Sequence, residues 1–263
     1  MSKPHLSANS ITKYLQCGKK WWFKYVMGLS EQYGADATLG RAWHSGALEA
    51  NYKQKIVTHT DLPADEMEDR FMEAWRGEIA DETPVYDKDK DQTQESMEKL
   101  GRQITAEHHK AIAPKVKPAL IEHKFVVSLG ENHPYDLMGY LDLVEEDGTI
   151  VDSKSWSPSR ASGVKNAPEK DVQMSCYAFA RRQETGKPEG GLRYDVIVKN
   201  KTPKALQIVT SRSVRQLEAF ADLVGDVTRG IKAGSFPART DGWWCAKKWC
   251  GYHTRCKHGS GSM

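Results

Sequence analysis

GYLDLVEEDGTIVDSKSW, residues Gly139 to Trp156, is the stretch on which the fold turns. Two largely apolar runs, GYLDLV and TIVDSKSW, flank Glu146-Asp147-Gly148. Aspartate followed by glycine between such runs is a strong hairpin signal. A three-residue loop over Glu146–Gly148 pairs Glu145 with Thr149 and, counting outward, sets Asp142 opposite Asp152. Cross-strand partners hold their Cβ atoms roughly 4.5–5.5 Å apart. Two carboxylates that close repel unless a cation lies between them. Asp152 and Lys154 are two apart and share a strand face. That face presents two carboxylates and an ammonium, and in an apolar setting such a group needs a reason. A divalent ion held by oxygen ligands polarises a phosphate and activates a bound water. A lysine beside it can position that water and stabilise developing charge. The plain alternative is a solvent-facing strand with ordinary charges. It would be the better reading of a lone Asp-x-Lys, and the apolar flanks count against it here.

Outward from the hairpin, Leu120–Leu129 alternates as a strand, and Tyr135–Val144 and Thr149–Ser155 are the hairpin strands. Glu169–Glu184 is a predicted helix, Leu192–Val198 and Ala205–Val209 are strands, and Ser213–Lys232 is a helix with an apolar face. Upstream, apolar residues at helical spacing predict helices over Ser10–Val26, Thr38–Lys53, Asp61–Ile79 and Thr93–Ile112. The charged DETPVYDKDKDQ between the last two reads as a loop. The fold class is α/β. A helical N-terminal region, 1–117, leads into a sheet-containing core, 118–234, and then a cysteine-rich segment, 235–258. Residues 259–263 read as a flexible tail.

With 39% hydrophobic and 28% charged residues, the 263-residue chain has the balance of a soluble globular protein, not of a disordered one. It contains no apolar run long enough for a membrane span, and MSKPHLSANS lacks the apolar stretch of a secretory signal, so a cytoplasmic location is expected. The absence of G-x-x-x-x-G-K-[ST] argues against an ATP-driven helicase. Charge is unevenly spread. Residues 61–99 hold fourteen acidic groups against five basic, and 229–258 hold seven basic against one acidic. The basic segment also carries Trp243, Trp244, Trp249 and Tyr252, a composition suited to nucleic-acid backbone and bases or to a solvated basic surface. Five cysteines without a secretion signal argue against a disulfide framework, and three within twelve residues point to metal or cluster ligation.

Gly139, Asp142, Asp152 and Lys154 spell G-x-x-D, a hairpin, and D-x-K. LGRAWHSGALEA supplies Gly40 and His44 as G-x-x-x-H, and QMSCYAFA supplies Gln173 and Tyr177 as Q-x-x-x-Y. In this order, spanning nearly the whole chain, the sequence resembles the RecB-like branch of the PD-(D/E)XK nucleases. LSANSITKYLQCGKKWWFKY looks like that branch's first helix. The resemblance implies a restriction-endonuclease-like mixed sheet flanked by helices and a metal-dependent DNA nuclease, most often an exonuclease on single strands or DNA ends. Such enzymes serve replication, recombination, repair or CRISPR adaptation, alongside a helicase or recombination protein. It implies that His44, Asp142, Asp152 and the backbone carbonyl of Ser153 bind Mg²⁺ or Mn²⁺. Lys154 is then the catalytic lysine, and Gln173 and Tyr177 orient it or contact DNA. Glu122, on the strand entering the core, supports the metal site or is an ordinary surface glutamate. Leu141, not proline, precedes Asp142, as is common in this branch.

Some members of the branch bind a 4Fe-4S cluster through one cysteine of the first helix and three near the C-terminus. Cys17 and the run Cys245, Cys250, Cys256 match that layout. Four thiolates suit an iron–sulfur cluster and equally suit tetrahedral zinc. Cys176, among apolar helix residues, reads as a buried small hydrophobe, and Trp243 and Trp244 are expected to pack around the cluster. Two rival readings are a nuclease fold retired to DNA binding and a zinc-binding regulator.

Overall fold

The alternating runs form one mixed sheet. The computed structural model describes residues 3–130, 133–163 and 168–259; 260–263 of the expected tail lie outside the described residues. The strands are β1 (His5–Leu6), β2 (Pro118–Ser128), β3 (Asp136–Glu145), β4 (Thr149–Trp156), β5 (Gly191–Val198) and β6 (Lys204–Thr210). Their order is β1-β3-β4-β5-β6, with β2 also on β3. β2 runs antiparallel along β3. β3 also takes β1 in parallel at Asp136 and Leu137, and β4 antiparallel at Leu143 and Val144. β4 and β5 are parallel and β6 returns antiparallel to β5.

The hairpin has the predicted register. Leu143 pairs with Val151 and Val144 with Ile150, and the same count places Asp142 opposite Asp152. Gly148 takes φ +84° and donates to the Glu145 carbonyl at 2.9 Å, a conformation that costs a residue with a Cβ about 1–2 kcal/mol.

Helices cover both faces. They are α1 (Ala8–Gln16), α2 (Gly18–Tyr25), α3 (Ala35–Ala42), α4 (Glu49–Thr58), α5 (Ala64–Asp81), α6 (Gln94–Ala111), α7 (Pro158–Ser162), α8 (Val172–Thr185) and α9 (Val214–Lys232). On one face Leu137, Leu141, Ile150 and Val196 pack with Ile11 of α1, Met174 of α8 and Val224 of α9. On the other, Leu143, Val151 and Ile197 lie in a second core with Trp43, Phe71, Trp75 and Ile104. No helix among the described residues is long and apolar enough to cross a membrane.

Three expectations change. The helix expected over Ser10–Val26 is broken at Cys17, whose backbone is extended at φ −165°, ψ 108°. Cys17 closes α1 by donating to the Lys13 carbonyl and opens α2 by accepting from the Trp21 N–H. The helix expected over Thr38–Lys53 contains a π-helical stretch, Trp43–Leu48, between α3 and α4. The helix expected from Glu169 starts at Val172, because Asp171 caps it by accepting from the Gln173 and Met174 N–H groups. β1, α7 and a short 3₁₀ turn at Lys88–Lys90 inside the expected loop are too brief to leave a periodic signal.

Candidate active site

The site forms where β3 and β4 part, just beyond the Leu143–Val151 pair. Here β2 and β3 also switch faces. Phe125 and Val127 of β2, with Leu137 and Leu141 of β3, join the core under α8 and α9, while Ile121 and Leu143 turn to the opposite core. Between the Ile121–Leu143 and His123–Leu141 pairs, Glu122 faces Asp142 across the strands. Glu122 has φ +45°, a left-handed conformation costing a glutamate about 1–2 kcal/mol. Such strain concentrates at functional sites. His44, Glu122 and Asp142 each offer a ligand atom within 4.8 Å of the others, the one such group among the described residues.

His44 arrives from the opposite layer, on the first turn of the π-helical stretch. π-bulges recur at functional sites because the extra residue re-aims a side chain. Its Nε2 lies 2.7 Å from the Ser153 carbonyl oxygen and its Nδ1 3.4 Å from Asp142 Oδ2. Asp152 is fully buried, with both carboxylate oxygens near the Lys154 ammonium at 3.0 and 2.8 Å. Ile150 and Trp156 face the α8–α9 core, so Asp152 and Lys154, at alternate positions between them, share that side.

The electrostatics follow from burial. Burial first, then the Lys154 charge, holds His44 down to about 4, so at neutral pH its ring is uncharged and can offer a lone pair. Burial raises Asp142 and lifts Asp152 to about 7 in spite of Lys154, and Asp142 adds repulsion. Glu122 rises to about 7 through burial and then the Asp142 charge. Burial works against the Lys154 ammonium, but Asp152 and Asp142 outweigh it and its pKa rises. Asp142 Oδ2 is buried and accepts no hydrogen bond among the described residues. An orphaned carboxylate oxygen beside a neutral imidazole, a backbone carbonyl and two further acids is a donor set suited to a hard divalent cation.

Gln173 and Tyr177 lie one turn apart on α8, and the Gln173 amide donates to the Tyr177 hydroxyl at 2.6 Å. Burial and then the Asp142 and Asp152 charges push the Tyr177 hydroxyl well above its usual range, which places it by the acidic pair. Gly139 is explained by packing: a Cβ there would meet the Phe125 ring at 2.7 Å. That ring packs edge-on against Tyr177, 6.3 Å between centroids. Sequence reasoning missed a buried polar contact that packs against Trp43, the neighbour of His44 in the chain. The buried Tyr52 hydroxyl lies 3.1 Å from His108 Nε2, and His108 packs edge-on against Trp43. Nothing in the pattern around His108 marks it apart from an ordinary helix histidine.

The PD-(D/E)XK nuclease superfamily profile matches residues 5–257. The chain belongs to the PD-(D/E)XK nuclease superfamily. No curated protein matches the sequence. The fold is similar to the crystal structure of a provisionally assigned exonuclease from Eubacterium rectale, with TM-score 0.57 and 13% identity. The alignment covers 92% of this chain and 87% of that one. Such low identity speaks for the fold alone, which here is the mixed sheet flanked by helices of a PD-(D/E)XK nuclease.

The C-terminal segment of this superfamily member returns to the first two helices. Cys17, Cys245, Cys250 and Cys256 line one small cavity, with Phe23, Trp244 and Tyr252 in its wall. Burial raises the Cys245 and Cys250 thiols, and Cys17 adds to both shifts. Tyr252 is buried, donates to the Leu29 carbonyl at 2.9 Å and packs on Phe23. Trp244 lines the cavity as expected, but Trp243 does not pack around it and is 67% exposed. The basic excess is also smaller than the sequence suggests, since Arg229, Arg239 and Lys248 each pair with aspartate. Cys176 is fully buried, and burial pushes its thiol up to about 12.

Proposed function

We propose that this protein is a divalent-metal-dependent deoxyribonuclease of the RecB-like branch, acting as an exonuclease on DNA ends or single strands. The observation that carries the reading is the convergence of His44, Asp142, the Ser153 carbonyl and the Asp152–Lys154 pair where β3 and β4 part. His44, Asp142, Asp152 and the Ser153 carbonyl would hold Mg²⁺ or Mn²⁺, with Glu122 supporting from β2. The bound ion would polarise the scissile phosphate and lower the pKa of a water. Lys154, kept charged by the two aspartates, positions that water and stabilises charge growing on the phosphate. Asp152 holds the lysine in place. Gln173 and Tyr177 brace the lysine's surroundings from α8 or meet the DNA. Digestion of end-labelled single- and double-stranded DNA with Mg²⁺, Mn²⁺ or EDTA tests this; intact DNA under every metal condition would refute it.

The domain reading is a helical region over 1–117 that delivers Cys17 and His44, a nuclease core over 118–234, and a clasp over 235–258. In the clasp, Cys17, Cys245, Cys250 and Cys256 hold a 4Fe-4S cluster. Four thiolates lining one cavity suit that cluster, and the same four suit tetrahedral zinc, so metal and sulfide analysis tells them apart. The enzyme is read as cytoplasmic, working beside a helicase or recombination protein in replication, recombination, repair or CRISPR adaptation.

A further inference from the structure

β4 does not end at its catalytic residues. Trp156, two positions past Lys154, lies on the same strand face and is 5% exposed. The chain then folds back on itself. Ser157 accepts from the Arg160 N–H at 3.3 Å and Pro158 sets the first turn of α7. That tight reversal lays the Arg160 guanidinium over the Trp156 ring, 4.9 Å from its centroid. Arg160 is exposed and pairs with no carboxylate among the described residues. Arg182, Arg193 and Arg239 are by contrast neutralised by acidic partners.

We propose that Arg160, held on Trp156, is a substrate-positioning residue that grips a DNA backbone phosphate within a few nucleotides of the one being cleaved. This rests on the nuclease reading of the Asp142–Asp152–Lys154 site. Two strand residues span roughly 7 Å. An arginine stacked beyond them therefore reaches the backbone on the order of 10 Å from Lys154, within a few nucleotides at about 3.4 Å rise per step. A planar guanidinium already stacked on an aromatic face loses little freedom when it binds phosphate and can do so through two N–H groups. With no competing carboxylate among the described residues, its charge is available to the substrate.

The test compares wild type, Arg160→Ala and Arg160→Lys, with melting temperatures matched to show retained folds. Anisotropy of a short labelled single-stranded DNA in EDTA gives the dependence of binding on salt, and digestion in Mg²⁺ gives KM and kcat. For Arg160→Ala the log–log salt slope should shrink by about 0.7, one phosphate contact. KM should rise about tenfold with kcat little changed. Arg160→Lys should keep the slope and restore KM only in part, because an ammonium lacks the stacked fork. An Arg160→Ala slope and KM equal to wild type would overturn the proposal, as would a loss confined to kcat. A wild type that binds DNA without cutting it defeats the nuclease reading, yet the slope comparison still judges Arg160. A wild type that binds no DNA defeats both.

Discussion

Asp152, Asp142 and Glu122 are acids that burial holds above their ordinary range, so without a cation their ionisation opposes folding. Asp142→Asn, Asp152→Asn and Lys154→Ala should each reduce cleavage by about a thousandfold or more while circular dichroism shows an intact fold. Wild-type activity in Asp152→Asn would remove the catalytic assignment. Metal binding should stabilise the native state by mass action. Mn²⁺ should therefore raise the wild-type melting temperature and EDTA reverse it, with little response from an Asp142→Asn/Asp152→Asn double variant. An equal rise in that variant would place the metal elsewhere. The acidic pair and its lysine were legible because hairpin geometry converts a count of residues into a distance. The strain at Glu122 was not, since a glutamate with φ +45° looks like any other in the sequence. Neither was the Tyr52–His108 contact, which joins residues 56 apart in sequence that only the tertiary fold brings together.

At the scale of elements, strands and long helices were readable because their periods repeat, whereas departures from the period were not. The break at Cys17 and the π-helical stretch at Trp43–Leu48 each alter a helix whose apolar spacing looks continuous. Both carry a residue proposed as a ligand, so the sequence was least informative where tertiary contacts override local preference. Between elements, Asp36 at the start of α3 pairs with Lys199 after β5 and with Lys90, and Gln92 donates to it at 3.0 Å. Although burial raises its pKa, the Lys199 charge and these bonds outweigh that and hold the Asp36 carboxyl at about 2. Its folded pKa lies below the unfolded value of about 3.9, so its stabilisation is present above pH 4 and lost as pH falls towards 2. Asp36→Asn should therefore lower the melting temperature at pH 7 by a few degrees at most, the pair being partly exposed. The gap from wild type should close by pH 2. A gap of the same size at both pH values would show that the ion pair contributes nothing.

The whole molecule is closed by its ends. Cys17 lies between α1 and α2 and its three proposed partners lie past α9, so only the complete fold can bring the four thiols to one cavity. With Cys17 among the ligands the site is no local zinc finger, and a metal or cluster held there would act as a crosslink spanning nearly the full chain. For a closed loop longer than about 100 residues, the chain-entropy argument sets the stabilisation at roughly 5 kcal/mol. In a domain of this size, 1 kcal/mol shifts the melting temperature by about 2–4 °C. Cys17→Ala should then lower it by on the order of 10 °C or more and abolish bound iron and sulfide. Cys176→Ala removes a thiol buried in the core between the sheet and its helices, outside the wall of the cysteine-lined cavity. It should retain the cluster and lose only the small packing contribution of one sulfur. The Asp142–Asp152–Lys154 group stands on the hairpin, apart from the cysteines, so Cys17→Ala should still cleave DNA below its lowered melting temperature. Iron, sulfide and zinc analysis of anaerobically purified protein, with melting curves for each variant, decides among the outcomes. Full iron in the Cys17 variant, or its loss from the Cys176 variant, would show the ligand set to be wrong. Zinc alone in the wild type would remove the iron–sulfur reading and leave the crosslink standing, because four thiolates from the two ends of the chain close the same loop around either metal.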